Sequence, residues 1–206
     1  MRPINYLRLL PLILFLFLPA CSDAPKTAEK KESAKPLEAL TGRQAFQQMY
    51  PQARGWAPDA QPLQIRSLNL AQVKGGEGKG GVWQVIFVSP SLGKAKTYTW
   101  SAVEAEGNLH QGVFGGVQED YTPRGDASPF LIAAIKVDSD EAYATAVKQS
   151  AEYIQKNPNK PVMFLMELGK RFPDVTWRVI WGDSVGTSDY SVFVDGTTGK
   201  YLERMH

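Results

Sequence analysis

A single cysteine and two histidines stand among the 206 residues. One thiol makes neither an intrachain disulfide nor a multi-cysteine zinc site. With His110 and His206 as the only imidazoles and no His-Glu-x-x-His, no transition-metal site is expected. Gly-x-Ser-x-Gly is missing, and a serine triad would depend on His110, beside Gln111 on an apparent strand. Charge of one sign is lacking as well. The formal charge is +2, but Arg2 and Arg8 lie in the first 20 residues, which hold no acid. Without that segment, basic and acidic side chains balance. No basic stripe interleaved with aromatics remains, so nucleic acid is excluded as a partner. No cofactor is expected. What is present is 43% hydrophobic and 11% aromatic residues, enough for one ordinary domain or two small ones.

The longest apolar run, Leu9 to Leu18, follows a short basic start and precedes Pro19-Ala20-Cys21. It is too short and too proline-broken for a spanning helix, which needs about 20 apolar residues. It reads as a secretory signal, cut between Ala20 and Cys21. Leu18-Pro19-Ala20-Cys21 resembles the lipobox of bacterial lipoproteins, although Pro19 replaces the usual small or hydroxyl residue. That resemblance implies a diacylglycerol on the Cys21 thiol, an acyl group (palmitate) on the new amino terminus, and membrane lipid as a partner. Several acyl chains at about 0.8 kcal/mol per buried methylene anchor durably. By the same resemblance, Ser22 after the cysteine favours the outer membrane, with the protein facing the periplasm. Residues 22 to 36 hold no aromatic, leucine, isoleucine or valine, so 21–36 is expected to be a lipidated, solvated tether. Fully extended it reaches about 50 Å.

Two similar stretches follow. Thr41-Gly-Arg-Gln44 fits a capping box, and Phe46, Met49, Tyr50 and Ala53 then fall on one helical stripe that ends near Gly55. Asp138-Ser-Asp-Glu141 offers a second cap, followed by Tyr143, Ala146, Val147, Ser150 and Ile154 until Asn157-Pro158 stops the run. Strand character marks 62–73, 82–89, 95–105, 109–114, 130–137, 162–168, 175–182, 190–195 and 200–204. Trp83-Gln-Val-Ile-Phe87 and Trp177-Arg-Val-Ile-Trp181 share one pattern, and each is followed by a strand with a tyrosine, Tyr98 and Tyr190. The shared order predicts an internal duplication: an α+β fold of two units, 37–127 and 128–206, each a helix packed on an antiparallel sheet. Alternation sets Trp83, Val85 and Phe87 on one face, and likewise Trp177, Val179 and Trp181, so the tryptophans are core. Lys74-Gly-Gly-Glu-Gly-Lys-Gly-Gly81 is expected to be a mobile hairpin loop. It is no phosphate loop, because Gly80 follows Lys79 where a Ser or Thr is needed.

The second unit ends Trp177-Arg-Val-Ile-Trp, a gap, then Tyr190-Ser-Val-Phe-Val-Asp-Gly-Thr-Thr-Gly-Lys200. This resembles the PepSY and PepSY-like domains of envelope proteins, in which a Trp-x-Val strand precedes a Val-Asp-x-x-Thr-Gly-Lys turn. Val194, Asp195, Thr198, Gly199 and Lys200 match that turn; in the first unit Glu104-Ala-Glu-Gly-Asn108 stands in its place. The resemblance implies a non-catalytic module that binds a periplasmic protein or peptide, restraining an enzyme or serving envelope assembly. The alternative is a periplasmic enzyme with a carboxylate site built from Glu119 and Asp120 near Tyr121, or from Asp138, Asp140 and Glu141.

Overall fold

Thr41 and Asp138 each start a helix, and the two caps are joined to one another. The computed structural model describes residues 37–73, 75–107, 109–123 and 125–205. The leader, Cys21, the tether, Lys74, Asn108 and His206 therefore lie outside the described residues. A two-residue strand β1 (Leu40–Thr41) leads into helix α1 (Gly42–Trp56). The expected capping box is formed: Gln44 N donates to Thr41 Oγ1 (3.3 Å) and Thr41 N to Gln44 Oε1 (3.1 Å). Helix α2 (Ser139–Lys156) is capped by Asp138, whose Oδ1 accepts from Ser139 N at 2.7 Å. The same carboxylate accepts from Thr41 Oγ1 (2.6 Å) and from Arg43 N (2.8 Å), so one acid serves the first turns of both helices.

The strands are β2 (Gln61–Leu68), β3 (Lys79–Gly80), β4 (Val82–Ser89), β5 (Lys94–Ser101), β6 (Gly112–Asp120), β7 (Val162–Glu167), β8 (Thr176–Trp181), β9 (Tyr190–Asp195) and β10 (Tyr201–Met205). Eight of them form one antiparallel sheet in the order β10-β9-β8-β7-β2-β4-β5-β6, while β3 pairs with β1. The strands after α1 and those after α2 are thus not two separate sheets. They meet where β2 pairs with β7, through Gln64–Glu167, Ile65–Met166 and Arg66–Leu165.

Both helices lie on the face that carries the tryptophans. Trp83, Val85, Phe87, Trp177, Val179 and Trp181 belong to one core with Phe46, Met49, Ala53, Ala142 and Ala146. Trp83 and Trp177 are fully buried and meet edge to face, 6.3 Å between centroids. Each indole N–H donates to the carbonyl just before a helix cap, Trp83 to Leu40 (2.9 Å) and Trp177 to Val137 (3.0 Å). Tyr98 and Tyr190 likewise donate to helix carbonyls, of Gln52 and Gln149, both at 3.2 Å. Such polar tips are satisfied where the ring buries its body.

Three expectations need correction. Residues 130–137 form no strand; Ile132–Ala134 is a 3-10 turn whose neighbour Phe130 donates its N–H to Pro62 O, so the segment spends its backbone groups on turn and sheet edge. The strand expected at 109–114 begins instead at Gly112 and runs to Asp120, which puts Glu119 and Asp120 on the edge strand. The glycine-rich segment is docked. Gly78 adopts φ 86° and its carbonyl accepts from the buried Ser139 Oγ at 2.5 Å, which holds the loop tip on the start of α2. The turn after β9 does what its residues suggest: Asp195 Oδ1 accepts from Thr197 N and Thr198 N (both 2.8 Å), and Gly199 adopts φ 73°.

Asp59 ties the end of β4 to the loop after α1. It accepts from Ser89 Oγ (2.6 Å) and Ser91 N (2.8 Å), and these bonds hold its carboxyl down from 3.8 to about 2. The folded value lies below the unfolded one, so the stability it contributes is complete above about pH 4 and drains as pH falls towards 2. Asp59→Asn is expected to flatten that part of the acid-unfolding profile. An unchanged dependence of the thermal midpoint on pH in that window would refute the assignment.

Candidate functional site

The face of the sheet opposite the helices is set by the same alternation that buries the tryptophans. If Trp83 and Trp177 point to the helices, Gln84 and Arg178 point away. The registers line up one row across all eight strands: Phe114, Thr99, Gln84, Arg66, Leu165, Arg178, Phe193 and Glu203. Among the described residues no helix covers this row. Beneath its long side chains, Met163, Leu165 and Ile180 form a second, smaller buried cluster.

The centre of the row is cationic. Arg66 donates through Nε (3.0 Å) and Nη2 (2.7 Å) to Gln84 Oε1, and Gln84 Nε2 donates on to Thr99 Oγ1 at 3.4 Å. Arg178 donates through Nε to Ser191 Oγ (3.0 Å) and through Nη2 to Ser188 Oγ (3.3 Å). Its guanidinium lies 5.5 Å from the Phe193 ring centroid, with Arg171 at 5.0 Å from the same ring. Burial is the main force pushing the Arg178 pKa down; Glu167 opposes it and Arg171 adds to it. An arginine nevertheless stays protonated. Arg171 is itself neutralised by Glu203, with Nη2–Oε1 at 2.6 Å and Nε–Oε2 at 3.1 Å. A cavity of about 200 Å3 opens here, lined by Arg171, Phe172, Arg178 and Phe193, with the acids Asp126 and Glu167 also in its wall.

The carboxylates considered as acid and base are not brought together. Asp138 is occupied at the helix caps by donors of Thr41, Arg43 and Ser139. Asp140 Oδ1 accepts from Glu141 N at 2.9 Å in the exposed first turn of α2. Glu119 is exposed on the edge strand, where Asp120 pairs with Lys94 at 2.6 Å. His110 contacts Glu104 at 2.8 Å and stacks near Phe114, at the far end of the same sheet. Among the described residues there is no group of three or more potential metal ligands. A second cavity, of about 290 Å3, lies between the docked loop, Tyr143 and Phe164, with Glu77 the one acid in its wall.

Sequence reasoning passed over Arg66, Arg178, Arg171, Phe172 and Phe193. The signal was the isoleucine that follows each Trp-x-Val: Ile86 and Ile180 fall on the face opposite the tryptophans, marking it as partly apolar too.

Among the described residues no helix is long and apolar enough to cross a membrane. No family model matches the chain, and no curated protein matches it. Among solved structures it is similar to a putative lipoprotein from Clostridium difficile 630, at 12% identity over 76% of this chain and 88% of that one, with a TM-score of 0.46.

Proposed function

We propose that this chain is a lipid-tethered protein of the bacterial envelope whose open sheet face docks a protein or peptide, without catalysis of its own. The observation that carries the docking role is the row centred on Arg66 and Arg178 over an apolar floor, which no helix covers among the described residues. The anchor rests on the sequence, where the leader ends at Cys21. The proposal includes two PepSY-like units related by duplication. Its supports are the repeated Trp-x-Val-Ile pattern, a helix followed by four strands of the large antiparallel sheet in each half, and the matched tryptophan and tyrosine hydrogen bonds. A tether of about 50 Å at full extension lets the open face sample the periplasm while lipid holds the chain at the outer membrane.

Cys21→Ala is expected to abolish incorporation of labelled fatty acid and to leave the precursor uncleaved; labelling equal to the parent would contradict the lipid assignment. For docking, chemical crosslinking in cells followed by purification through the chain is expected to recover one recurrent envelope partner. Repeated failure to enrich any protein above background counts against the reading. A hydrolytic activity lost on substituting Glu119 or Asp120 would favour an enzyme instead.

A further inference from the structure

Five cations of the described residues, Lys94, Lys156, Lys160, Lys170 and Arg171, each have a carboxylate partner within 3.1 Å, and several surface lysines and arginines have none. Arg66 and Arg178 have none among the described residues, although both are partly withdrawn from solvent. Among the described residues their hydrogen bonds go to neutral oxygens, of Gln84, Ser188 and Ser191. Each guanidinium carries five N–H donors, and the bonds to Gln84, Ser188 and Ser191 use two of them in each arginine. Glu167 attracts Arg178 without a salt bridge to it, and its Oε2 accepts from the neutral Gln64 Nε2 at 3.3 Å.

A half-buried cation with no carboxylate in direct contact is costly, and a charged ligand relieves that cost on binding. The two arginines flank Leu165 on adjacent strands, which puts their backbones about 10 Å apart. Beside Arg178 the cavity against Phe172, Phe193 and Met205 offers an apolar slot next to the charge. A flat lipid surface does not reach cations recessed among the side chains of a sheet; an extended peptide does.

We infer that the open face selects a carboxylate-bearing peptide, with Arg178 and Arg66 receiving two of its acidic groups and the Phe193 cavity taking an apolar side chain beside one of them. This rests on the docking role proposed above and names the chemistry of the occupant.

The test is fluorescence anisotropy with the full chain in neutral detergent. The probe is a fluorescein-labelled peptide of alternating glutamate and leucine, and the control replaces every glutamate by glutamine. Saturable binding of the glutamate peptide is expected, weakened about tenfold by Arg178→Gln and by Arg66→Gln. Lys148→Gln on the exposed side of α2 is expected to leave it unchanged. If Arg178→Gln fails to fold, Arg66→Gln decides, since that side chain contacts only Gln84 through hydrogen bonds. Equal affinity for the glutamine peptide overturns the selection of carboxylate while leaving the docking face intact. Binding of neither peptide also overturns it, and the docking role is then judged by crosslinking alone. Displacement of the peptide by micelles doped with phosphatidylglycerol, dependent on both arginines, would assign the face to lipid and overturn the inference.

Discussion

Trp177→Ala is expected to lower the free energy of unfolding by about 3–5 kcal/mol, the range found when a fully buried aromatic is truncated. Three losses combine. The side chain is 0% exposed, so its whole apolar surface leaves a packed core. Its ring meets Trp83 at 6.3 Å and Phe164 at 6.5 Å, both edge to face, and those contacts vanish together. The Val137 carbonyl loses its 3.0 Å indole donor just before the Asp138 cap. At about 2–4 °C per kcal/mol for a chain of this size, the thermal midpoint falls by roughly 6–20 °C. Urea unfolding is the check, with the midpoint moved and the slope kept. A loss below about 1 kcal/mol would mean that the ring is not at the centre of the core. Because the two indoles touch, Trp83→Ala combined with Trp177→Ala is expected to cost less than the sum of the two single substitutions.

Gly78→Ala is expected to cost about 2–3 kcal/mol or to expel the loop from α2. The residue stands at φ 86°, where an alanine is strained, and an added Cβ would run into the Asp140 backbone and lie 2.7 Å from the carbonyl carbon of Ser139. Backbone cannot move aside as a flexible side chain would. Once the tip lifts, Ser139 Oγ loses its acceptor on Gly78, and the β1–β3 pairing of Thr41 with Lys79 weakens. Hydrogen exchange at the Gly42 amide, which donates to Ser139 Oγ at 2.7 Å, should report the change. Gly76→Ala is the control. It has open space around its Cβ position and no positive φ, so it should be nearly neutral. Equal effects of the two substitutions would contradict the docked loop.

Much of this architecture was legible before any coordinates. Both helices, their caps and the Trp-x-Val strands follow from local chemistry: a hydroxyl or carboxylate before a periodic stripe, and alternation within a strand. The fusion of the strands into one sheet was not legible, because the β2–β7 pairing joins residues about 100 positions apart and rests on three registered pairs with no local signature. Asp138 illustrates a different limit. As a cap it could be read from sequence, but its bonds to Thr41 and Arg43 depend on where the two helices meet. The open face has no periodic apolar stripe of its own, since Gln84, Arg66 and Arg178 alternate with the buried tryptophan phase. Once a strand's buried phase is known, its other phase deserves equal reading, and here it leads from Gln84 through Arg66 and Arg178 to Phe193.

The most direct measurement is site-resolved photo-crosslinking in living cells, with a photoreactive amino acid placed at Ile86 on the open face or at Lys148 on the exposed side of α2. The full chain with its leader is expressed in both cases. The docking account predicts one discrete adduct from position 86, diminished when Arg66→Gln and Arg178→Gln are added, and none from position 148. Adducts from position 148 alone, or none from either position, would contradict it.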